Sequence, residues 1–165
     1  MLRDKRFVIA GALANRHIQM HTAGVARSID LFRYPDRVLT DEKAALVTSA
    51  VMNKCDTLQE GFLNNPRACS FDFSTLACAP GTDSNSCLTP GQLRTVETHY
   101  GGLKNAKGEL IFSGQALGNP MPAQRPPTDV PGGGYDTVRI WGFQNASYDW
   151  KTFDLDRDMP RINAA

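Results

Sequence analysis

Two stretches near the start of the chain repeat apolar residues at the spacing of an α-helix. Over residues 16–33, the apolar positions that share one face are Ile18, Val25, Ile29 and Phe32. From Asp41 to Lys54, with Thr40 placed to cap the N-terminus, the apolar stripe consists of Leu46, Val47, Ala50 and Val51. Both stretches therefore predict helices with one buried face.

A third helix is predicted by the signals at its start. Thr89 is a good N-terminal cap, Pro90 suits the first helical position, and Gln92 can complete a capping box with Thr89. The helix is expected to end near Tyr100, because two consecutive glycines follow. Residues 103–113 then predict a short hairpin.

The remainder of the chain is predicted to be mostly loop. Residues 55–88 are rich in turn formers and hold all four cysteines, and residues 114–134 form a long loop rich in proline and glycine. The apolar run at residues 7–11 predicts one short buried strand. The fold class expected from these patterns is mainly α, with long loops and little β.

The charge balance argues against some classes of partner. The 165 residues include 18 basic and 17 acidic side chains, for a net charge of +1. This balance gives no electrostatic basis for binding nucleic acid or an anionic membrane surface. The sequence contains no run of about 18 apolar residues, so no transmembrane helix is predicted.

The four cysteines are clustered, at Cys55, Cys69, Cys78 and Cys87. Their spacing does not match the Cys-x-x-Cys pairs of structural zinc sites. An even number of cysteines among turn-forming residues favours disulfides and an oxidising compartment. Three pairings are possible. We predict the sequential one, Cys55–Cys69 and Cys78–Cys87, because it closes the shortest loops.

The N-terminus has two interpretations. Basic residues followed by the apolar run Phe7–Ala14, which ends in Ala-Leu-Ala, imitate a secretory signal peptide with its cleavage site. Against this, the apolar run is short and Asp4 interrupts the basic region. Local features alone support a signal peptide and a buried strand equally.

Two groups of side chains have the composition of a metal site but a simpler interpretation. His17 and His21 lie four residues apart and can share a helix face, yet no acidic residue is near them in sequence. Asp154-Leu-Asp-Arg-Asp158 resembles the start of an EF-hand loop, but Met159 and Ala165 stand where glycine and glutamate are needed. A role without a metal for His17 and His21, and a salt-bridged turn for the aspartates, are favoured.

Asp56 and Glu60 form a better candidate for a cation site. Both lie in the ring that a Cys55–Cys69 disulfide would close, where backbone carbonyls up to Phe62 can add oxygens for Ca²⁺. Two carboxylates are few for such a site. A turn held by the side chain of Asp56 is therefore the alternative.

Motifs that carry hydrolytic or phosphate chemistry are absent from the sequence. It contains no Gly-x-Ser-x-Gly, no glycine-rich phosphate loop and no His-Glu-x-x-His. The serine nearest to the first pattern, Ser113, lacks the preceding glycine. The chain alone therefore offers no candidate nucleophile.

Short motifs in a fixed order fill the cysteine-rich segment and continue on both sides of it. Within the segment they are Cys55-Asp56, Glu60-Gly61, Asn65-Pro66, Cys69-Ser-Phe-Asp-Phe73, Leu76-Ala-Cys78, and Cys87-Leu-Thr89 with Gln92. The flanking motifs are Ala10-Gly-Ala-Leu-Ala-Asn15 and Trp150-Lys-Thr-Phe-Asp-Leu-Asp-Arg-Asp158. Together they resemble the lid region of the tannase and feruloyl esterase family of α/β-hydrolases, with Leu13 in place of a proline. The resemblance spans nearly the whole chain.

This resemblance implies both a domain assignment and an activity. It assigns residues 1–15 to a remnant of a hydrolase core strand, which favours the strand over the signal peptide, and residues 16–165 to the lid. The implied activity is hydrolysis of small aromatic esters by a Ser-His-Asp triad. In the family the serine precedes the matched region, and the aspartate and histidine follow it. The chain is therefore expected to be an internal piece of an esterase, with no catalytic residue of its own and its hydrolase core missing.

The resemblance also implies site residues. Asp56, Glu60 and the backbone carbonyl of Phe62 match calcium ligands of the family's lid, in a loop that is three residues shorter and lacks a middle aspartate. The candidate aromatic residues of the substrate pocket are Trp141, Phe143 and Trp150, and packing inside the lid is the alternative for each. The parent enzyme is expected to be secreted or periplasmic.

A different class of function stays open at this point. If the N-terminal run is a cleaved signal, the chain is a small secreted, disulfide-stapled binding module without catalytic activity. A mature N-terminus at Asn15 would favour that module. An upstream reading frame that encodes Gly-Cys-Ser-x-Gly-Gly would favour the esterase.

Overall fold

The computed structural model describes residues 16–125 and 134–164, so the predicted strand at residues 7–11 lies outside the described residues. Four α-helices supply most of the regular structure: α1 (His17–Arg33), α2 (Asp41–Cys55), α3 (Pro90–Gly101) and α4 (Leu155–Ala164). Two short strands pair antiparallel, β1 (Leu103–Lys104) and β2 (Leu110–Phe112). The prediction of a mainly α fold with long loops and little β is confirmed. Within the described ranges, no helix has the length and apolar character needed to cross a membrane.

The three predicted helices form where their local signals lie. The hydroxyl of Thr40 accepts the N–H of Lys43 at 3.3 Å and so caps α2. In α3 the capping box is complete, because Thr89 accepts the N–H of Gln92 at 3.3 Å while the side chain of Gln92 accepts the N–H of Thr89 at 3.0 Å. The predicted hairpin also forms, with its turn at residues 105–108.

Apolar side chains pack in two clusters. The first joins α1 and α4 to the aromatic segment between them, and its buried members are Val25, Ile29, Val138, Phe143, Trp150, Phe153, Met159 and Ile162. The second lies between α2, α3 and the loops around them, and its buried members are Leu39, Ala44, Val47, Leu88, Val96 and Met121. Ile18, Val25 and Ile29 of the stripe predicted for α1 pack in the first cluster, whereas Phe32 is exposed. Of the stripe predicted for α2, Val47 belongs to the second cluster and Val51 is buried. Leu46 and Ala50 are only partly buried.

A buried lysine ties α2 to α3 and to the cysteine-rich loop. Lys43 is only 3% exposed, and its Nζ donates to Oε1 of Gln92 at 2.7 Å. It also forms an ion pair with Asp83 in the loop closed by the second disulfide. A buried ammonium is tolerated only when it is paired, so these contacts hold the start of α2 in one position.

Helix α4 differs from the sequence-based expectation. The aspartates at residues 154–158 were expected to form a turn, but they lead into α4, and Asp158 is only 7% exposed. Its carboxylate accepts hydrogen bonds from the side chain of Arg157 at 2.7 and 2.8 Å, from the N–H of Asp154 at 2.9 Å and from the hydroxyl of Tyr148 at 3.2 Å. The salt bridge to Arg157 matches the favoured interpretation. The helix around it was missed.

The pKa of Asp158 reflects this environment. Burial by itself would raise the pKa, but the hydrogen bonds from Arg157, from the backbone of Asp154 and from Tyr148, together with the charge of Arg157, outweigh burial and lower it. Burial, followed by the nearby negative charge, raises the pKa of Tyr148 to about 12, so its hydroxyl remains a donor.

We expect Asp158→Asn to lower the free energy of unfolding at pH 7 by about 2 kcal/mol, because charged hydrogen bonds at a buried acceptor are lost. A depressed folded-state pKa stabilises the fold above the unfolded value of about 3.9, and this contribution is lost as the pH falls through the folded-state pKa. The difference between variant and wild type should therefore shrink at pH 3. Urea unfolding at both pH values measures it, with the exposed Asp36→Asn as control. A difference that stays constant with pH would contradict the assignment.

Candidate functional site

Both disulfides are present in the cysteine-rich segment. Cys55 is bonded to Cys69 and Cys78 to Cys87, which is the predicted sequential pairing. The first bond connects the last residue of α2 to the loop after this helix. The second closes a loop whose ends are joined by the backbone hydrogen bond from Cys78 N–H to the carbonyl of Leu88 at 2.9 Å. The segment is thus fixed although it has little regular structure.

The ring closed by Cys55 and Cys69 is organised by the side chain of Asp56. Its two carboxylate oxygens accept the backbone N–H of Glu60 at 3.1 Å and that of Gly61 at 2.7 Å. Gly61 has a φ of 81°, a left-handed conformation that glycine adopts without strain. The side chain of Glu60 accepts a hydrogen bond from Asn64 at 2.7 Å. This geometry is that of the hydrogen-bonded turn, the alternative to a cation site.

In this structure the carboxylates of Asp56 and Glu60 are engaged in hydrogen bonds within the ring. Ca²⁺ takes six to eight oxygens, and here both oxygens of Asp56 face N–H donors while Glu60 is engaged by Asn64. No group of three His, Cys, Asp or Glu side chains is arranged as a metal site within residues 16–125 and 134–164. The side chain of Phe62 is exposed. Calcium binding through Asp56, Glu60 and Phe62 stays a prediction.

The three aromatic residues proposed for a substrate pocket have different environments. Phe143 and Trp150 are 2% and 4% exposed and belong to the first core cluster, so packing in the core describes them better than an open pocket. Phe143 stacks on Tyr148 with ring centroids 3.9 Å apart. Trp141, by contrast, is 61% exposed. Of the three, it alone presents its ring to solvent.

Trp141 stands on a turn that is partly buried. It belongs to a π-helical turn, Thr137–Gly142, a conformation that is rare and frequently found at functional sites. Val138 in this turn is fully buried, and its carbonyl accepts the N–H of Phe143 at 2.9 Å. The turn is thus held to the core through Val138, while Trp141 and the neighbouring Ile140 remain exposed.

A histidine pair of α1 lies next to this tryptophan. The rings of His17 and His21 are 4.3 Å apart, and the ring of His17 is 6.0 Å from that of Trp141. We call Trp141, Ile140 and His17 the aromatic face. The histidines were considered as a metal pair, but their ring contacts are with each other and with the tryptophan. No local signal indicated this neighbourhood, because α1 and the π-helical turn are far apart along the chain.

Comparison with known proteins identifies the family. Residues 7–131 match the family model described as "Tannase and feruloyl esterase". Over 150 residues the chain is 29% identical to an uncharacterized esterase of Xanthomonas campestris pv. campestris, and the match covers 79% of this chain and 25% of that protein. Over 70 residues it is 36% identical to a probable feruloyl esterase B of Emericella nidulans, and this match covers 41% of this chain and 13% of that protein.

The fold is also similar to part of a solved structure. The crystal structure of feruloyl esterase B from Aspergillus oryzae matches 94% of this chain and 32% of its own, with a TM-score of 0.75 and 22% identity. The described fold is thus shared with one part of that structure. Since the family model covers most of the chain, the chain belongs to the tannase and feruloyl esterase family. It spans about a quarter of the length of the Xanthomonas relative.

Proposed function

We propose that this chain is the lid of a serine carboxylic ester hydrolase that acts on small aromatic esters, and that Trp141 faces the substrate. The family membership and the similarity to part of a feruloyl esterase structure support the esterase parent. The same matches favour the esterase lid over a separate secreted binding module. The chemistry implied for the parent is attack by a serine, an acyl-enzyme intermediate and its hydrolysis.

The observation that carries the role of Trp141 is its exposure on a fixed support. An exposed tryptophan on a partly buried π-helical turn offers a flat apolar surface. Aromatic rings stack on such surfaces in offset or edge-to-face arrangements. A lid that covers a cleft excludes water and completes the pocket around the ligand. The adjacent His17 would add a polar group beside the bound ring.

The two disulfides support an oxidising location for the parent enzyme. Disulfides persist in secreted and periplasmic proteins and are rare where thiols are kept reduced. All four cysteines of the chain are bonded. We therefore propose that the parent enzyme is secreted or periplasmic.

Trp141→Ala should lower kcat/KM for an aromatic ester without unfolding the lid. The experiment places residues 16–164 in the feruloyl esterase B of Aspergillus oryzae, in place of the matching part of that enzyme, and measures hydrolysis of methyl ferulate. Loss of one aromatic contact in the transition state is expected to reduce kcat/KM about tenfold.

The matched control is Leu110→Ala, which removes an exposed apolar side chain of β2 that is not part of the aromatic face. This variant should keep the activity of the parent graft. Equal kcat/KM for Trp141→Ala and Leu110→Ala, with both proteins folded, would refute the role of Trp141.

A further inference from the structure

A cavity of about 450 Å³ lies between α1, α3 and the start of α4. Its volume falls in the range of small-molecule sites in proteins, about 300 to 1,000 Å³. Neither Trp141 nor the cysteine-rich ring contributes to its lining. The cavity is therefore separate from the aromatic face, and a ligand bound in it would not require the proposed lid function.

Three side chains of the cavity lining carry buried polar atoms that have no hydrogen-bond partner among the described residues. They are Nε and Nη2 of Arg27, Nε2 of His99 and Oε1 of Gln124. Buried polar groups in folded proteins are almost always paired, so each exception calls for a group that the described part of the chain does not supply. Their concentration at one cavity indicates a polar ligand there.

Arg27 determines the kind of ligand. Nε and Nη2 lie on the same edge of the guanidinium group, which is the edge that binds both oxygens of one carboxylate. Burial lowers the pKa of Arg27, but an arginine keeps its charge in a protein. Two buried guanidinium nitrogens without an acceptor are costly, and a carboxylate is the acceptor that matches their charge and geometry.

The acidic side chains of the lining do not satisfy Arg27. Asp30 is paired with Arg37, Asp154 accepts the N–H of Arg157 at 2.8 Å, and Asp156 accepts the N–H of Ala106 at 3.1 Å. The fourth acidic residue of the lining, Glu97, is exposed, and no ion pair joins it to Arg27 in the described part of the chain.

Four more basic side chains line the cavity and make its surroundings more positive. They are Arg33, Arg37, Arg94 and Lys104. Arg33 donates to the carbonyls of Lys151 and Phe153 at 3.0 and 3.1 Å and so is held by neutral groups. With Arg27, the basic side chains outnumber the four acidic ones by one. An anion is thus favoured over a cation in this cavity.

His99 and an apolar surface complete the site. Burial, followed by the charge of Arg27, lowers the pKa of His99, so the ring is neutral near pH 7 and close to the guanidinium. The lining also includes the buried side chains of Ile29, Leu31 and Phe153. A charged group combined with apolar surface suits an acid with a hydrophobic body.

We propose that this cavity binds a small carboxylate with an apolar body, with the carboxylate on Arg27 beside His99 and the apolar part against Ile29, Leu31 and Phe153. The two unpaired nitrogens of Arg27 are closed off from bulk water, so the proposed binding requires this side chain to turn them toward the cavity. The carboxylate of the ligand then accepts hydrogen bonds from Nε and Nη2 of Arg27, which have no acceptor among the described residues.

The test is calorimetric titration of the 165-residue chain with benzoate, and with benzamide as an uncharged analogue of the same shape. Benzoate should bind saturably, at least tenfold more tightly than benzamide. Arg27→Gln should weaken benzoate binding at least tenfold, while Arg67→Gln, which removes an exposed arginine outside the cavity, should leave it unchanged. In NMR titrations, bound benzoate should raise the pKa of His99, because an anion beside the ring stabilises its protonated form.

Two results would overturn the proposal. One is the absence of saturable benzoate binding to the folded wild-type chain, which would mean that water or another part of a longer polypeptide satisfies Arg27. The other is equal binding of benzoate and benzamide. Both results are measured on the wild-type chain and therefore do not depend on the folding of Arg27→Gln. His99→Gln then serves as the second variant. It should weaken benzoate binding, and unchanged benzoate affinity would contradict the placement of the carboxylate beside His99.

Discussion

Phe143→Ala is expected to lower the free energy of unfolding by about 4 kcal/mol, because large-to-small changes of a buried aromatic residue remove apolar burial and leave a cavity. Phe143 is stacked on Tyr148 with ring centroids 3.9 Å apart. Its carbonyl accepts a hydrogen bond from Arg161 of α4 at 2.7 Å. The residue therefore connects the aromatic segment to α4, and its loss should weaken the first core cluster as a whole.

Trp141→Ala is the matched control for this prediction. It removes a larger aromatic side chain two positions away, but that side chain is exposed, so the expected change is within about 0.5 kcal/mol. Urea unfolding followed by far-ultraviolet circular dichroism measures both variants. Similar losses for the two would mean that Phe143 does not belong to the core, and that the core and the aromatic face are not distinct.

Replacing both cysteines of the first disulfide, Cys55→Ser with Cys69→Ser, is expected to cost about 3 kcal/mol. A cross-link that closes a ring of about 15 residues restricts the unfolded chain by this amount if its effect is taken as loss of chain entropy. In the folded chain the bond also holds the Asp56 turn against the end of α2. Urea unfolding without reductant compares the variant with the wild type.

A reductant supplies the internal check. Adding it should destabilise the wild type, which loses two disulfides, more than the double variant, which loses only Cys78–Cys87. A double variant as stable as the wild type would show that the ring is held by the hydrogen bonds of Asp56 alone.

Local signals explain why most helices could be predicted from the sequence. Thr40 and Thr89 cap their helices through contacts with residues three positions later, and the stripes of α1 and α2 repeat at helical spacing. Signals of this kind are readable without knowledge of the rest of the fold. The disulfide pairing was also predictable, since the two shortest rings lie in one loop-rich segment.

Helix α4 could not be predicted in the same way. It contains Pro160 in its interior, which normally disfavours a helix, and its acidic start resembles a turn. Its stabilising contacts are tertiary. Met159 and Ile162 pack in the first core cluster, and Asp158 accepts a hydrogen bond from the hydroxyl of Tyr148. No local sequence pattern indicates these partners.

The environments of the aromatic residues were also hidden from the sequence. Trp141 and Phe143 are two positions apart, yet one is exposed and the other buried. They lie at the end of a π-helical turn that no local signal predicts, so their faces could not be assigned from the sequence. The unpaired groups of Arg27 and His99 could not be predicted from the sequence either, because the two side chains come to the same cavity only when the chain is folded.

The central claim is that this chain acts as the lid of an aromatic ester hydrolase. The most direct test measures kcat/KM for methyl ferulate with the feruloyl esterase B of Aspergillus oryzae in two forms, one carrying residues 16–164 as its lid and one in which the matching part is replaced by a short linker. The isolated chain serves as the blank and should show no hydrolysis. We expect at least tenfold higher kcat/KM with the lid in place. A folded graft no faster than the lidless form, or hydrolysis by the isolated chain, would contradict this claim.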